Sequence, residues 1–150
     1  MEVVIVDYSI VFKVMLGNAN LSGIDHNILD ERFLPKGKGK QKFQLDQLQI
    51  DKNATDDEAE AIIKSEGFEP AKIEHLLALL KANTHRFVNF SFQKPLVILG
   101  SRCLNDEGFF HCVPILRNPY WAGKFMLDIE ILSPKAKLWG DWCNFLVIKP

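Results

Sequence analysis

The hydrophobic pattern changes period along the chain, and each change marks a different kind of element. From Val3 to Val14, Val4, Val6, Tyr8, Ile10, Phe12 and Val14 share one parity, while Asp7, Ser9 and Lys13 fall on the other. That alternation of β-branched and aromatic residues predicts one long strand or two consecutive ones. Residues 17–42 then carry Gly17, Asn18, Asn20, Gly23, Asn27, Pro35, Gly37 and Gly39, which predicts a long irregular loop with a single turn of helix near Asn27 to Phe33. Lys42 to Ile50 fits neither period and stays open between strand and helix.

A local start signal follows. Thr55-Asp-Asp-Glu58 has the spacing of a capping box, so a helix is expected from Asp56. Asp56, Asp57 and Glu58 complement the positive end of its dipole, Glu60 and Lys64 form an i,i+4 pair, and Gly67 supplies a left-handed stop. Pro70, read as a first helical residue, opens a second helix whose Ile73, Leu76, Leu77 and Leu80 make one apolar stripe ending near Asn83.

Beyond Asn83 the period returns to two. Val88, Phe90 and Phe92, then Leu96–Leu99, Phe109–Leu116, Phe125–Leu132 and Phe145–Ile148 read as strands. Their connections at 105–108, 118–123 and 133–137 are too short for parallel crossovers, so the C-terminal half reads as an antiparallel meander. The expected fold is a single α+β domain over residues 1–150, with one mainly antiparallel sheet, strands through 86–148 and the helix pair of 55–83 packed on one face.

Composition narrows the partner classes. The chain has 150 residues, 47% of them hydrophobic and 25% charged, which is ordinary for a packed domain and excludes disordered, collagen-like and coiled-coil classes. Eighteen Lys and Arg against 19 Asp and Glu leave a net charge of −1, so no bulk field draws the protein to nucleic acid or an anionic membrane. The apolar start lacks a basic flank and contains Asp7, and no long uncharged run is present, so a soluble cytoplasmic protein is expected with no membrane partner. Cys103, Cys112 and Cys143 are an odd set without a close pair, which suits buried reduced thiols.

Four constellations carry candidate chemistry. Lys36, Lys38, Lys40 and Lys42 alternate with Gly and Gln, a cationic loop able to meet phosphates but with no interleaved aromatic to stack bases. Asp128 and Glu130 fall on one face of a strand and have the spacing to share a divalent metal, although the same alternation describes a strand with a wet face. His111 and Cys112 point to opposite faces of their strand and cannot act together. Tyr120 and Trp121 with Arg117, and Trp139 with Trp142, are aromatic groups in connections: they make a contact surface or fold back as lids on the core. The calcium-loop-like run Asp51, Asn53, Thr55, Asp57 fails, because Asp56 stands where Gly is needed and Ile62 where Glu is needed.

No residue pattern calls for a cofactor or a resident metal. The expected function is a small protein-binding module of the inhibitor, immunity or adaptor kind, meeting a protein partner through Arg117, Tyr120, Trp121, Trp139 and Trp142 and through Asp56 and Asp57. The alternatives are a metal-dependent nuclease or phosphoryl-transfer enzyme using Asp128 and Glu130, and a nucleic-acid-binding module using Lys36 to Lys42.

Overall fold

The first alternating run breaks after six residues. In a computed structural model describing residues 2–29, 31–82, 94–105, 107–117 and 125–150, strand β1 covers Glu2–Asp7 and helix α1 covers Phe12–Asn18. The break is an Asx turn, in which the Asp7 carboxylate accepts from the Ser9 amide at 3.0 Å and the Ser9 hydroxyl at 2.6 Å. Past it, Phe12, Met15, Leu16 and Ala19 are buried at helical spacing, while Val14, which continues the strand-like alternation, is 51% exposed.

The excursion expected over 17–42 is partly structured. It contains β2 (Gly23–Ile24) and two short 3-10 turns, His26–Leu29 and Glu31–Phe33, and it inserts Ile28 and Phe33 into the interior. The undecided stretch is strand β3 (Lys40–Gln49), so Lys40 and Lys42 belong to the sheet rather than to a loop. Helix α2 (Asp56–Ser65) carries the capping box as expected: the Thr55 hydroxyl accepts from the Glu58 amide at 3.2 Å, and Glu58 accepts from the Thr55 amide at 3.3 Å. Gly67, at φ +87°, closes it with a Schellman pair, Phe68 N to Ile63 O and Gly67 N to Lys64 O. Pro70 does not open the next helix. Glu69–Pro70 is a two-residue strand, β4, and α3 begins at Ile73 and runs to Ala82.

Strands β5 (Leu96–Val97), β6 (Cys103–Leu104), β7 (His111–Arg117), β8 (Met126–Leu132) and β9 (Asn144–Lys149) complete a mixed sheet of nine strands among the described residues. Most pairings are antiparallel; β2–β8 and β5–β9 are parallel. The main order is β1-β3-β9-β5-β7-β8-β2, with β4 pairing β9 and β6 pairing β7. The meander therefore stops at β8, and β9 crosses back to lie between β3 and β5. Its reason is local: Phe145, Leu146, Val147 and Ile148 are all buried, and a strand apolar on both faces belongs in the middle of a sheet. The segment 83–93, with Val88, Phe90 and Phe92, and the segment 118–124 lie outside the described residues.

The helix pair is split between the two faces. Leu76 and Leu80 of α3 join Phe12 and Leu16 of α1, Val4, Leu45 and Leu146 in one core, whereas Ala59 and Ile63 of α2 join Val113, Ile115, Trp139, Phe145 and Val147 in the other. A single α+β domain results, with a helix layer over part of each sheet face.

Candidate functional site

Asp56, the first residue of α2, is fully buried. One carboxylate oxygen accepts from Trp139 Nε1 and the other meets His111 Nδ1 at the start of β7. Asp56, Trp139 and His111 thus form one hydrogen-bonded group. Its role is a polar staple joining α2, β7 and the segment before β9. Asp56 and Trp139 were expected as partner contacts, and this correction removes both from the surface. Trp139 is at 0% exposure, stacked on Trp142 at 5.7 Å and edge-on to Phe145 at 5.9 Å; these rings are lids on the core. Of the acidic helix start, Asp57 remains exposed, paired with Arg102 at 3.0 Å. Tyr120 and Trp121 lie outside the described residues.

Asp128 and Glu130 do share a face, and Arg117 on the neighbouring strand shares it with them. Arg117 Nε stands 3.4 Å from Asp128, and its Nη2 donates to Glu130. A guanidinium thus sits where the enzyme alternative needs a metal, and among the described residues no group of three His, Cys, Asp or Glu side chains is placed to hold one. Cys103 and Cys112 face each other across β6–β7, and burial pushes the Cys143 thiol up to about 11.

The four lysines are divided. Lys40 and Lys42 stand on β3 opposite Asp7 and Ile5 of β1. Gly37, between Lys36 and Lys38, lies against the Tyr8 ring, where an added Cβ would come within 2.7 Å of it. Lys36 lines a polar cleft with Arg32, Lys72, Glu74 and Arg102.

Glu74 also lines a second, smaller cleft between β1, α1 and α3, with apolar walls from Ile10, Met15 and Leu77. Sequence reasoning missed this site. Its one signal was two polar residues, Glu74 and His75, inside a helix that is otherwise apolar nearly all round. Glu74 is only 3% exposed, and its Oε2 accepts from the Tyr8 hydroxyl at 3.1 Å, a contact that together with burial pushes the tyrosine pKa up. His75 accepts from the Lys72 amide through Nδ1 at 2.9 Å, sits edge-to-face on Phe43 at 4.3 Å, and is pushed by burial down to about 4.

The cleft adjoins a sheet edge. Among the described residues strand β1 pairs only with β3, and the Tyr8 amide donates to Gly39 O at 2.9 Å, which sets the phase of that antiparallel ladder. Residues 2, 4 and 6 then bond inward to β3, and the amides and carbonyls of Val3, Ile5 and Asp7 point away from the sheet. The side chains of Val3 and Ile5 are 51% and 59% exposed.

The chain matches no known protein family, no curated protein and no solved structure. No helix among the described residues is long and apolar enough to cross a membrane.

Proposed function

We propose that this chain is a protein-binding module that takes an extended segment of a protein partner as an additional strand along β1. The observation that carries the reading is the edge of β1, unpaired among the described residues, with the amides and carbonyls of Val3 and Ile5 and the amide of Asp7 directed outward beside exposed Val3 and Ile5. Natural sheets usually blunt such an edge with lysine, proline, a bulge or a cover. Here Glu2-Val-Val-Ile-Val-Asp7 carries none of the first two, and the opposite edge is guarded by the two-residue β2. Strand addition uses main-chain hydrogen bonds for affinity and side-chain pockets for choice, and the edge has a cleft at its side. An inhibitor, immunity or adaptor protein of the cytoplasm would work in this way, by occupying a partner's extended segment.

The test is Ile5→Pro. The Ile5 amide points out of the ladder, so proline removes a donor to the partner and none to β3. Ile5→Lys serves as a second variant that keeps the backbone. One protein retained at stoichiometry by the wild type and lost by both variants, with unchanged melting, supports strand addition. Retention by both, with loss in a Tyr120→Ala, Trp121→Ala variant, would move the contact to the aromatic turn and overturn the β1 reading.

A further inference from the structure

We infer that the cleft beside β1 is a pocket for a basic side chain, arginine or lysine, of the bound segment. This rests on the strand-addition reading and adds the chemistry that the partner must carry. Three observations converge on it. First, Glu74 is a carboxylate with 3% exposure whose hydrogen-bond partner within the described chain is one tyrosine hydroxyl. No Lys, Arg or His of the described residues stands within ion-pair distance of it, although buried carboxylates are ordinarily paired with a cation. Second, the charged groups of the cleft are two carboxylates, Glu74 and Asp7, against the single ammonium of Lys81. Hydrogen bonds from Ser9 hold the Asp7 carboxyl below its usual range, so it stays charged well into acid. Third, Ile10, Met15 and Leu77 offer apolar walls of the kind that the methylene stem of arginine or lysine covers while its head reaches a charge.

Strand geometry converts the pocket into a sequence pattern. Side chains of even residues on β1, Val4 and Val6, face the core shared with α1 and α3, and odd ones, Val3 and Ile5, face the opposite side. An added strand continues both faces. Its basic residue enters on the α1–α3 side opposite Val6, which lines the cleft, and the residues before and after it lie beside Ile5 and Asp7. The recognised segment is therefore a basic residue between an apolar neighbour, beside Ile5, and a polar one, beside Asp7.

The experiment is a heteronuclear NMR titration of the full chain with N-acetyl-arginine methylamide, compared with the leucine and glutamate equivalents at the same millimolar concentrations. The arginine probe is expected to move the amides of Met15, Leu77 and Ala78, with the other two leaving them in place. Glu74→Gln should weaken that response about tenfold or more, the scale of losing a charge-assisted contact. Lys81→Ala, which removes the competing cation, should strengthen it several-fold, a gain that unfolding cannot mimic. Equal shifts from the leucine probe, or an arginine response unchanged in Glu74→Gln, would overturn the inference. If the arginine probe fails while Ile5→Pro still abolishes partner capture, strand addition stands and the basic pocket falls. If arginine binds but Ile5→Pro leaves capture intact, the strand reading falls instead.

Discussion

Asp56→Ala is the substitution that most sharply tests the polar staple. It removes the acceptor of two donors, Trp139 Nε1 in a residue at 0% exposure and His111 Nδ1 in a side chain at 16%. A buried donor left without a partner costs about 1–3 kcal/mol. Trp139 should reach the upper part of that range, because its ring is fully buried, and His111 the lower part, because its side chain reaches solvent. Loss of an acidic residue from the first turn of α2 adds about 0.3–1 kcal/mol. The sum, about 3–5 kcal/mol, is of the size seen when one partner of a buried pair is removed. It would lower the melting temperature by roughly 6–20 °C at about 2–4 °C per kcal/mol for a chain of this size. Urea unfolding followed by circular dichroism reads the change directly, with the slope against urea serving as a check on two-state behaviour. A double-mutant cycle with Trp139→Phe should return a coupling of about 1–2 kcal/mol, since that variant deletes the same donor. Asp57→Ala, one residue along the chain and exposed in its pair with Arg102, should cost less than about 1 kcal/mol. Equal costs at positions 56 and 57 would refute the staple.

Stability should also fall in mild acid through His75. Its folded pKa, about 4, lies below the unfolded value of about 6.5, so its contribution is complete above pH 6.5 and is lost as pH falls toward 4. Between pH 7 and 5 the loss is about 2 kcal/mol, and His75→Gln should flatten that part of the urea-midpoint profile. Gly100→Ala would bring a Cβ to 2.5 Å from the Ala71 carbonyl oxygen, and a cost of about 1–3 kcal/mol is expected in the same unfolding assay. Because Arg117 already neutralises Asp128 and Glu130, millimolar Mg²⁺ should leave the wild-type melting temperature unchanged and raise that of Arg117→Ala; a rise in the wild type would return the metal-enzyme alternative.

Local signals were legible and non-local ones were not. Thr55, Glu58 and Gly67 interact within a few residues of one another, so α2 could be read from end to end. Strands β7 and β8 declared themselves by alternation, and their hairpin-like pairing followed from the short connection. The first helix was misread because Phe12 and Val14 continue the alternation of β1 across the Asp7–Ser9 turn, although only Phe12 of the two is buried. The central place of β9 was written in four successive apolar residues, but a two-residue reading of Phe145 to Ile148 hides it. Asp128 and Glu130 were rightly placed on one face, while Arg117 arrived there from another strand.

The amino-acid sequence by itself determined the elements whose stabilising partners are near neighbours: the capped helix, its glycine stop, the alternating strands and hence the α+β class. Tertiary structure alone decided which face each helix covers, that β1 is an edge among the described strands, and what surrounds each buried charge. Asp56 finds its partners 55 and 83 residues away, and Glu74 finds Tyr8 at a separation of 66. Such contacts depend on strand order, and strand order is set by how all the apolar faces are buried together rather than by any one segment.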